Sequence, residues 1–240
     1  MTGRVFLRVE RLPRALLAAA RRCSVSDLYE VLPPVLRDRA VMSPRMQGLV
    51  PGVRMAGPAV TVRPARGDNL ALHRALRLAQ RGDALVIAAR GGPGAQWGDL
   101  AALDARRLGL AGVVVHGFIR DADALRAMRY PVWATGIAPS HPEKRAAGDI
   151  NLPVVCDGVR VCPGDLVVAD GDGVIVVPAA LAAATVALVE ARRRAERSAV
   201  RRIAAGARLW DLHDLDAAYR RSGTVELDAT WNAATGRKRK

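Results

Sequence analysis

The sequence predicts an α/β domain with a partly parallel sheet, followed by a long helix and a basic tail. Three observations carry this. Between Arg54 and Gly136, short apolar runs alternate with helical segments, the order expected of βαβ units. From Leu152 the chain reads strand, turn, strand, turn, strand, with no helix between. Half of the 240 residues are hydrophobic but only 4% are aromatic, so a sizeable core has to be packed mainly from alanine, valine and leucine.

Taken in order, residues 12–22 and 26–32 read as short helices, the second opening at "SVSD", where Ser24 or Ser26 offers a capping hydroxyl. A proline-punctuated stretch follows, then "RMAGPAVTVRP" as a strand, "NLALHRALRLAQ" as a helix and "DALVIAAR" as a buried strand. The loop "GGPGAQWGD" leads into the helix "LAALDARRLG", the strand "AGVVVHG", the helix "DADALRAMR" and the strand "PVWATG". In "PVVCDGVRVCPGDLVVADGDGVIVVP", Pro163-Gly164 and Asp172-Gly173 set the turns between three strands. "AALAAATVALVEARRRAERSAVRRIAAG" is one long helix. A single domain is expected over residues 1–223 and a flexible basic tail over 224–240, with no internal repeats.

Composition narrows the function classes. Cys23, Cys156 and Cys162 show no CxxC spacing and no histidine at metal-binding spacing, and their odd number argues against a disulfide framework; a reducing cytoplasm is the expected compartment. No apolar run approaches the roughly 20 residues of a membrane span, and "RVFLRVERLPRALLAAARR" is interrupted by charge too often for a signal peptide. The net charge of +14 points toward nucleic acid. The arginines, however, are spread along the chain, dense only in "EARRRAERSAVRR" and "GRKRK", without interleaved aromatics or a recognisable binding module. The expectation is a solvated basic face and tail, binding nucleic acid non-specifically if at all.

Two loops follow apolar strands and precede helices, the place where open α/β sheets collect their sites. "ARGGPGAQWGDL" carries four glycines before a helix, so its amides can approach an anion at the helix end. It matches neither GxxxxGK[ST] nor GxGxxG. In "GVVVHGFIRDADAL", Arg120 and Asp121 stand together where the strand runs out. Arginine is a permanent bidentate cation and aspartate a hard oxygen ligand for Mg²⁺ or Mn²⁺, so the pair suits an oxyanion held between a guanidinium and a metal. Other readings remain open on the residues alone: Asp121 and Asp99 as helix caps, and Arg120 as a partner of Asp123.

Asp99 and the Arg120-Asp121 pair are separated by twenty residues, forming a D-x20-R-D pattern. With "VSD", "MAGPAVTV" followed by "GDN", "WGDLAALDARRLGLAGVVVHGFIRD", "PVWATGIAP" and "GVRVCPGDLVVADGDGVIVVP", the chain from about Ser24 to Gly206 resembles the RraA-like family, which includes class II 4-hydroxy-4-methyl-2-oxoglutarate/4-carboxy-4-hydroxy-2-oxoadipate aldolases. The resemblance implies a swivelling-type α/β/β sandwich, a homo-oligomer (trimer or hexamer) and a metal-dependent retro-aldol cleavage of an oxo acid to pyruvate, with oxaloacetate decarboxylation as a second activity. It assigns Asp121 as the Mg²⁺ or Mn²⁺ ligand, Arg120 to the keto or enolate oxygen, and Asp99 to proton transfer through water. It gives the amides of Gln96, Trp97, Gly98 and Leu100 to the pyruvyl carboxylate, and Glu196 as an acidic residue reaching a neighbouring subunit's site. The family pattern usually has an acidic residue three positions after the motif aspartate. Here Ala124 stands there, Asp123 lies one place early, and His116 occupies a position commonly acidic or amide, where packing at a strand end is the expectation. His73 and His141 are expected to be structural or exposed. Two rival functions stand beside the lyase: regulation of a ribonuclease by protein binding, and a related lyase for another oxo acid or sugar acid. A methyltransferase lacks its glycine-rich nucleotide fingerprint here.

Overall fold

The computed structural model describes residues 3–89 and 94–231, which fall into two compact units, Met1–Glu190 and Ala191–Lys240. Part of the glycine-rich loop, residues 90–93, and the "GRKRK" end of the basic tail lie outside the described residues.

The first unit opens with α1 (Arg14–Ala20), α2 (Val25–Val31) and α3 (Pro34–Ala40). Of the two candidate serines, Ser24 is the cap. Its hydroxyl accepts from the Asp27 amide at 3.1 Å and its amide donates to the Asp27 carboxylate at 3.2 Å, a reciprocal box that satisfies two otherwise orphaned donors. α3 arises inside the proline-punctuated stretch, with Pro34 at the first helical position, where a missing N–H costs nothing.

A short β1 (Gln47–Gly48) precedes the four parallel strands β2 (Met55–Arg63), β3 (Ala84–Ala88), β4 (Gly112–Ile119) and β5 (Val132–Ile137), joined by α4 (Leu70–Leu76), α5 (Asp99–Leu108) and α6 (Ala122–Met128). Then come β6 (Asp149–Ile150), β7 (Val154–Cys156), β8 (Val159–Val161), β9 (Leu166–Asp170) and β10 (Gly173–Val177). The main sheet runs β1-β5-β4-β3-β2-β9-β10, with β6 also on β2; β7 and β8 form a separate ribbon. β1, β6, β9 and β10 pair antiparallel, so the sheet is mixed.

Both faces of the parallel strands are covered. Leu85, Ile87, Val113 and Val115 pack with Leu72 of α4, Ala102 of α5 and Leu125 of α6. Their alternates Ala84, Val86, Val114 and Trp133 pack with Val154, Cys156 and Val161 of the ribbon. Side chains alternate faces along a strand, and burial on both sides is why these segments read as unbroken apolar runs. The layers are helices, sheet and ribbon, an α/β/β sandwich. α1–α3 and the first turns of the long helix α7 (Ala179–Ala204) cover β9 and β10 through Leu28, Ala182 and Val186.

After Leu152 the structure has four strands where the sequence predicts three. The extra break is at Asp157-Gly158, whose φ values of 48° and 84° make the two-residue hairpin turn that Asp-Gly favours. Burial pushes the Cys156 thiol up to about 12, so it serves as packing, not as a nucleophile.

The second unit comprises the rest of α7, α8 (Leu209–Leu212) and α9 (Asp216–Arg221). Trp210 contacts the Tyr219 ring edge-on at 5.2 Å and donates to the Asp216 carboxylate at 3.0 Å. Among the described residues, no helix is long and apolar enough to cross a membrane.

Leu85 is fully buried between helices and sheet, so Leu85→Ala is expected to lower the unfolding free energy by about 2–5 kcal/mol in urea denaturation. Ser24→Ala, which removes one cap, is expected to cost only about 1 kcal/mol in the same measurement.

Candidate active site

The two loops meet because the first is hydrogen-bonded to the end of β4. The Gln96 amide donates to the Phe118 carbonyl at 2.7 Å, and the Arg120 amide to the Trp97 carbonyl at 2.9 Å, so residues 96–97 lie beside the strand as a parallel extension. β4 is itself bulged. Its register with β5 shifts between Val115 and Phe118, and the Thr135 hydroxyl fills the gap, accepting from the Gly117 amide at 2.9 Å and donating to its carbonyl at 3.1 Å. A bulge of this kind re-aims the residues after it, here Arg120 and Asp121. His116, in the bulge, accepts from the Asp157 amide at 3.0 Å through Nδ1 and so braces the strand against the ribbon.

Asp121 occupies the N-cap position of α6, but its side chain makes no capping bond. Its backbone is left-handed, φ 55° and ψ 40°, a conformation that aspartate tolerates better than most residues. The carboxylate turns toward α5: Oδ2 lies 3.1 Å from Arg120 Nε and accepts from the Asp99 amide at 3.4 Å. A Cβ at position 98 would stand 2.5 Å from that oxygen, so only glycine permits the approach.

Asp99 is the first residue of α5, after the N-cap Gly98, and its Oδ1 accepts from the Leu100 amide at 2.7 Å. Arg120 does not pair with Asp123, which instead holds Arg126 at 2.9 Å. The four amides expected at the anion site are thus unequal. Those of Gln96 and Leu100 are engaged by Phe118 and Asp99, whereas those of Trp97 and Gly98 have no acceptor among the described residues. Glu196 lies in the second unit, on α7, ion-paired with Arg192 at 3.1 Å.

Around these residues is a cleft of about 160 Å³ that also takes in Asn69, His73, His141 and Lys144. From the sequence, His73 and His141 are expected to be structural or exposed and Asn69 and Lys144 carry no assignment, although "GDN" and "HPEK" hold them. Arg120 Nη1 is 3.4 Å from His141 Nδ1. Asp68 places the others: its carboxylate accepts from the amides of Leu70 (2.8 Å), Arg145 (2.6 Å) and Ala146 (2.9 Å), clamping the 143–146 loop onto the start of α4. Burial would raise the Asp68 pKa, but these three amides outweigh it and hold it below the usual carboxylate range. Two buried side-chain oxygens of cleft residues, Asn69 Oδ1 and Gln96 Oε1, have no partner among the described residues. Buried polar atoms are rarely left so, and a polar ligand would satisfy them.

The donors available to a metal are the carboxylates of Asp121 and Asp99; no cluster of three or more His, Cys, Asp or Glu side chains occurs among the described residues. One or two hard carboxylates with open space beside them suit a cation that keeps most of its water, as Mg²⁺ does, and not a tetrahedral zinc site.

The fold and site together define a mixed α/β protein with a carboxylate-bearing cleft at the carboxyl edge of its parallel strands. A model of the RraA-like family, described as Aldolase/RraA, matches residues 23–176, and the chain belongs to that family. It is 44% identical over 126 residues to a protein of Halalkalibacterium halodurans provisionally named a 4-hydroxy-4-methyl-2-oxoglutarate aldolase; the match covers 52% of this chain and 60% of that relative. Two solved structures share the fold. One is an uncharacterized protein from Pseudomonas syringae pv. tomato (TM-score 0.75, 28% identity, 85% of this chain and 95% of that one). The other is Streptomyces coelicolor RraAS2, described as an unusual member of the RNase ES inhibitor RraA family (TM-score 0.71, 34% identity, 80% and 98%).

Because Asp121 does not cap α6, makes only a long 3.4 Å bond to the Asp99 amide and sits in a left-handed conformation, Asp121→Gly is expected to leave stability unchanged or raise it by up to about 1 kcal/mol in urea denaturation. A loss of more than that would mean the carboxylate is there for the fold. Burial, aided by the Lys144 charge, lowers the His73 pKa. His73 should therefore titrate below 6.5 by NMR. As the pH falls below 6.5 the unfolded chain takes up this proton before the folded one, so the contribution of neutral His73 to stability is lost toward acid.

Proposed function

We propose that the chain is a lyase that cleaves a 4-hydroxy-2-oxo acid in retro-aldol fashion to release pyruvate, with a divalent cation, Mg²⁺ or Mn²⁺, held by Asp121 and water. The single observation that carries this reading is the Asp121 carboxylate, aimed at Arg120 and the start of α5 and not used to cap its own helix α6. The relatives' names point the same way.

The division of labour follows from where the groups stand. The amides of Trp97 and Gly98, at the positive end of α5, receive the substrate's 1-carboxylate. The Arg120 guanidinium, its Nε already tied to Asp121, offers its remaining N–H groups to the 2-oxo oxygen, where negative charge develops. Asp99 takes up the 4-hydroxyl proton through water. The C3–C4 bond then breaks, its electron pair passing into the C2–C3 bond and onto the 2-oxo oxygen. Protonation at C3 gives pyruvate, and C4 leaves as a carbonyl. When bound, the cation supplies a Lewis acid for the 2-oxo oxygen. Decarboxylation of oxaloacetate passes through the same enolate and belongs to the same proposal. Asn69, His73 and Lys144 lie where the distal part of the substrate would extend, and Lys144 adds positive charge for an acidic group there. We place the active form in the cytoplasm as a homo-oligomer, a trimer or hexamer, with Glu196 of a neighbouring copy completing the site. Regulation of a ribonuclease by protein binding is the second reading, favoured by the similarity to RraAS2.

The test is pyruvate release from 4-hydroxy-4-methyl-2-oxoglutarate and from oxaloacetate. Turnover is expected with Mg²⁺ or Mn²⁺ and not with chelator, and Arg120→Ala or Asp121→Ala should lower kcat/KM by at least about 10²-fold. Borohydride added with substrate should leave the enzyme active, because the proposal gives Lys144 no Schiff base; inactivation would assign that lysine a covalent role. No pyruvate from either compound would point to another oxo acid or sugar acid as substrate, and a pull-down for a ribonuclease partner would then separate that from the regulator.

A further inference from the structure

A second and larger cavity, about 630 Å³, opens at the ends of β2 and β3. Its walls come from three stretches: Gly3 and Arg4, the segment Arg63–Arg66 leaving β2, and the segment 147–149 entering β6. Ala88 and Ala89 form its floor, and small side chains there keep the space open. The segment 63–69 lies between this cavity and the cleft described above, giving Arg63 and Arg66 to one and Asn69 to the other.

The charge of this lining is one-sided. Among the described residues it carries three arginines, Arg4, Arg63 and Arg66, and one carboxylate, Asp149. Asp149 is already used: it accepts from the Arg4 amide at 2.8 Å and is ion-paired with the Arg63 guanidinium. Arg66 is exposed and has no hydrogen bond or ion pair among the described residues. The wall bearing Arg4 is built into the fold. The Phe6 amide donates to the Ile150 carbonyl at 3.1 Å, the Ile150 amide to the Arg4 carbonyl at 2.9 Å, and the Asn151 side chain to the Phe6 carbonyl at 2.8 Å. Gly3 lies against the backbone of Gly148, closer than any side chain would allow. Arg4 lies outside the residues 23–176 that the family model matches.

We propose that this cavity is a binding site for a small organic polyanion, a compound with two or more carboxylate or phosphate groups, separate from the candidate active site. Guanidinium groups match both oxyanions bidentately and stay charged at every physiological pH. An excess of two positive charges around an apolar floor selects a compact multiply charged ligand over a neutral or monoanionic one.

Calorimetric titration of the full chain at fixed ionic strength, with citrate as the polycarboxylate and pyrophosphate as the phosphate probe, tests this. One saturable site per chain is expected for at least one probe, and which one binds tells carboxylate from phosphate. Arg66→Ala and Arg4→Ala should each weaken it by about tenfold or more, while Arg120→Ala leaves it intact. Arg66 is exposed, so its variant tests the charge without disturbing the fold, and an unchanged melting temperature checks that. Absence of saturable binding to both probes overturns the proposal. So does binding that survives both Arg66→Ala and Arg4→Ala, which places the anion on the basic C-terminal stretch, or binding lost only in Arg120→Ala, which places it in the active-site cleft. None of these outcomes depends on whether the chain releases pyruvate.

Discussion

Two backbone hydrogen bonds, Gln96 to Phe118 and Arg120 to Trp97, hold the candidate active site together. They fasten the loop after β3 to the end of β4, and every group in the proposed chemistry takes its position from that junction. Without them Asp99 and Asp121 belong to separate loops. With them the start of α5 lies against Asp121, and Gly98 leaves just enough room for the carboxylate. The bulge at Gly117 and the left-handed Asp121 backbone are the local irregularities that this geometry requires, and both sit where the sheet stops being regular. Strained or bulged backbone persists only where the surroundings over-determine it. Here they do: the strands beneath are buried on both faces.

How much of this was legible in the sequence follows from range. The parallel strands could be read because double-sided burial writes an unbroken apolar run, and α5 and α6 because their periodicity is local. The D-x20-R-D spacing could be read because one helix and one strand return the chain to the same edge. α3 was hidden by its prolines, which read as punctuation when one of them was a helix start. β1 and β6, two residues each, carry no periodicity at all. The Asp157-Gly158 turn joins strands of only three residues each, too short to show an alternation that would separate them. Asn69, His73 and Lys144 were not legible as site residues, because a carboxylate on Asp68 brings their segments together across a gap of more than 70 residues. His141 reaches the cleft on the same loop. The unequal availability of the four loop amides likewise depends on partners that only the folded chain supplies.

The chemistry proposed here asks little of any single group. In that proposal an arginine, two carboxylates and a helix end act as a preorganised electrostatic environment for the enolate, and such environments account for much of enzymatic rate enhancement. The same fold carries a second arginine-lined cavity a few residues along the chain, partly built from an N-terminal segment outside the family match. The arrangement fits a fold in which the strand ends are the reactive edge and the attached segments vary.

The most direct test of the central claim is a crystal structure of the protein with Mn²⁺ and pyruvate, using the anomalous signal of the metal. The account predicts Mn²⁺ on the Asp121 carboxylate, with the pyruvate carboxylate on the amides of Trp97 and Gly98 and its keto oxygen facing Arg120. Manganese bound elsewhere with Asp121 still held by Arg120 and the Asp99 amide, or pyruvate lodged away from the start of α5, would contradict it.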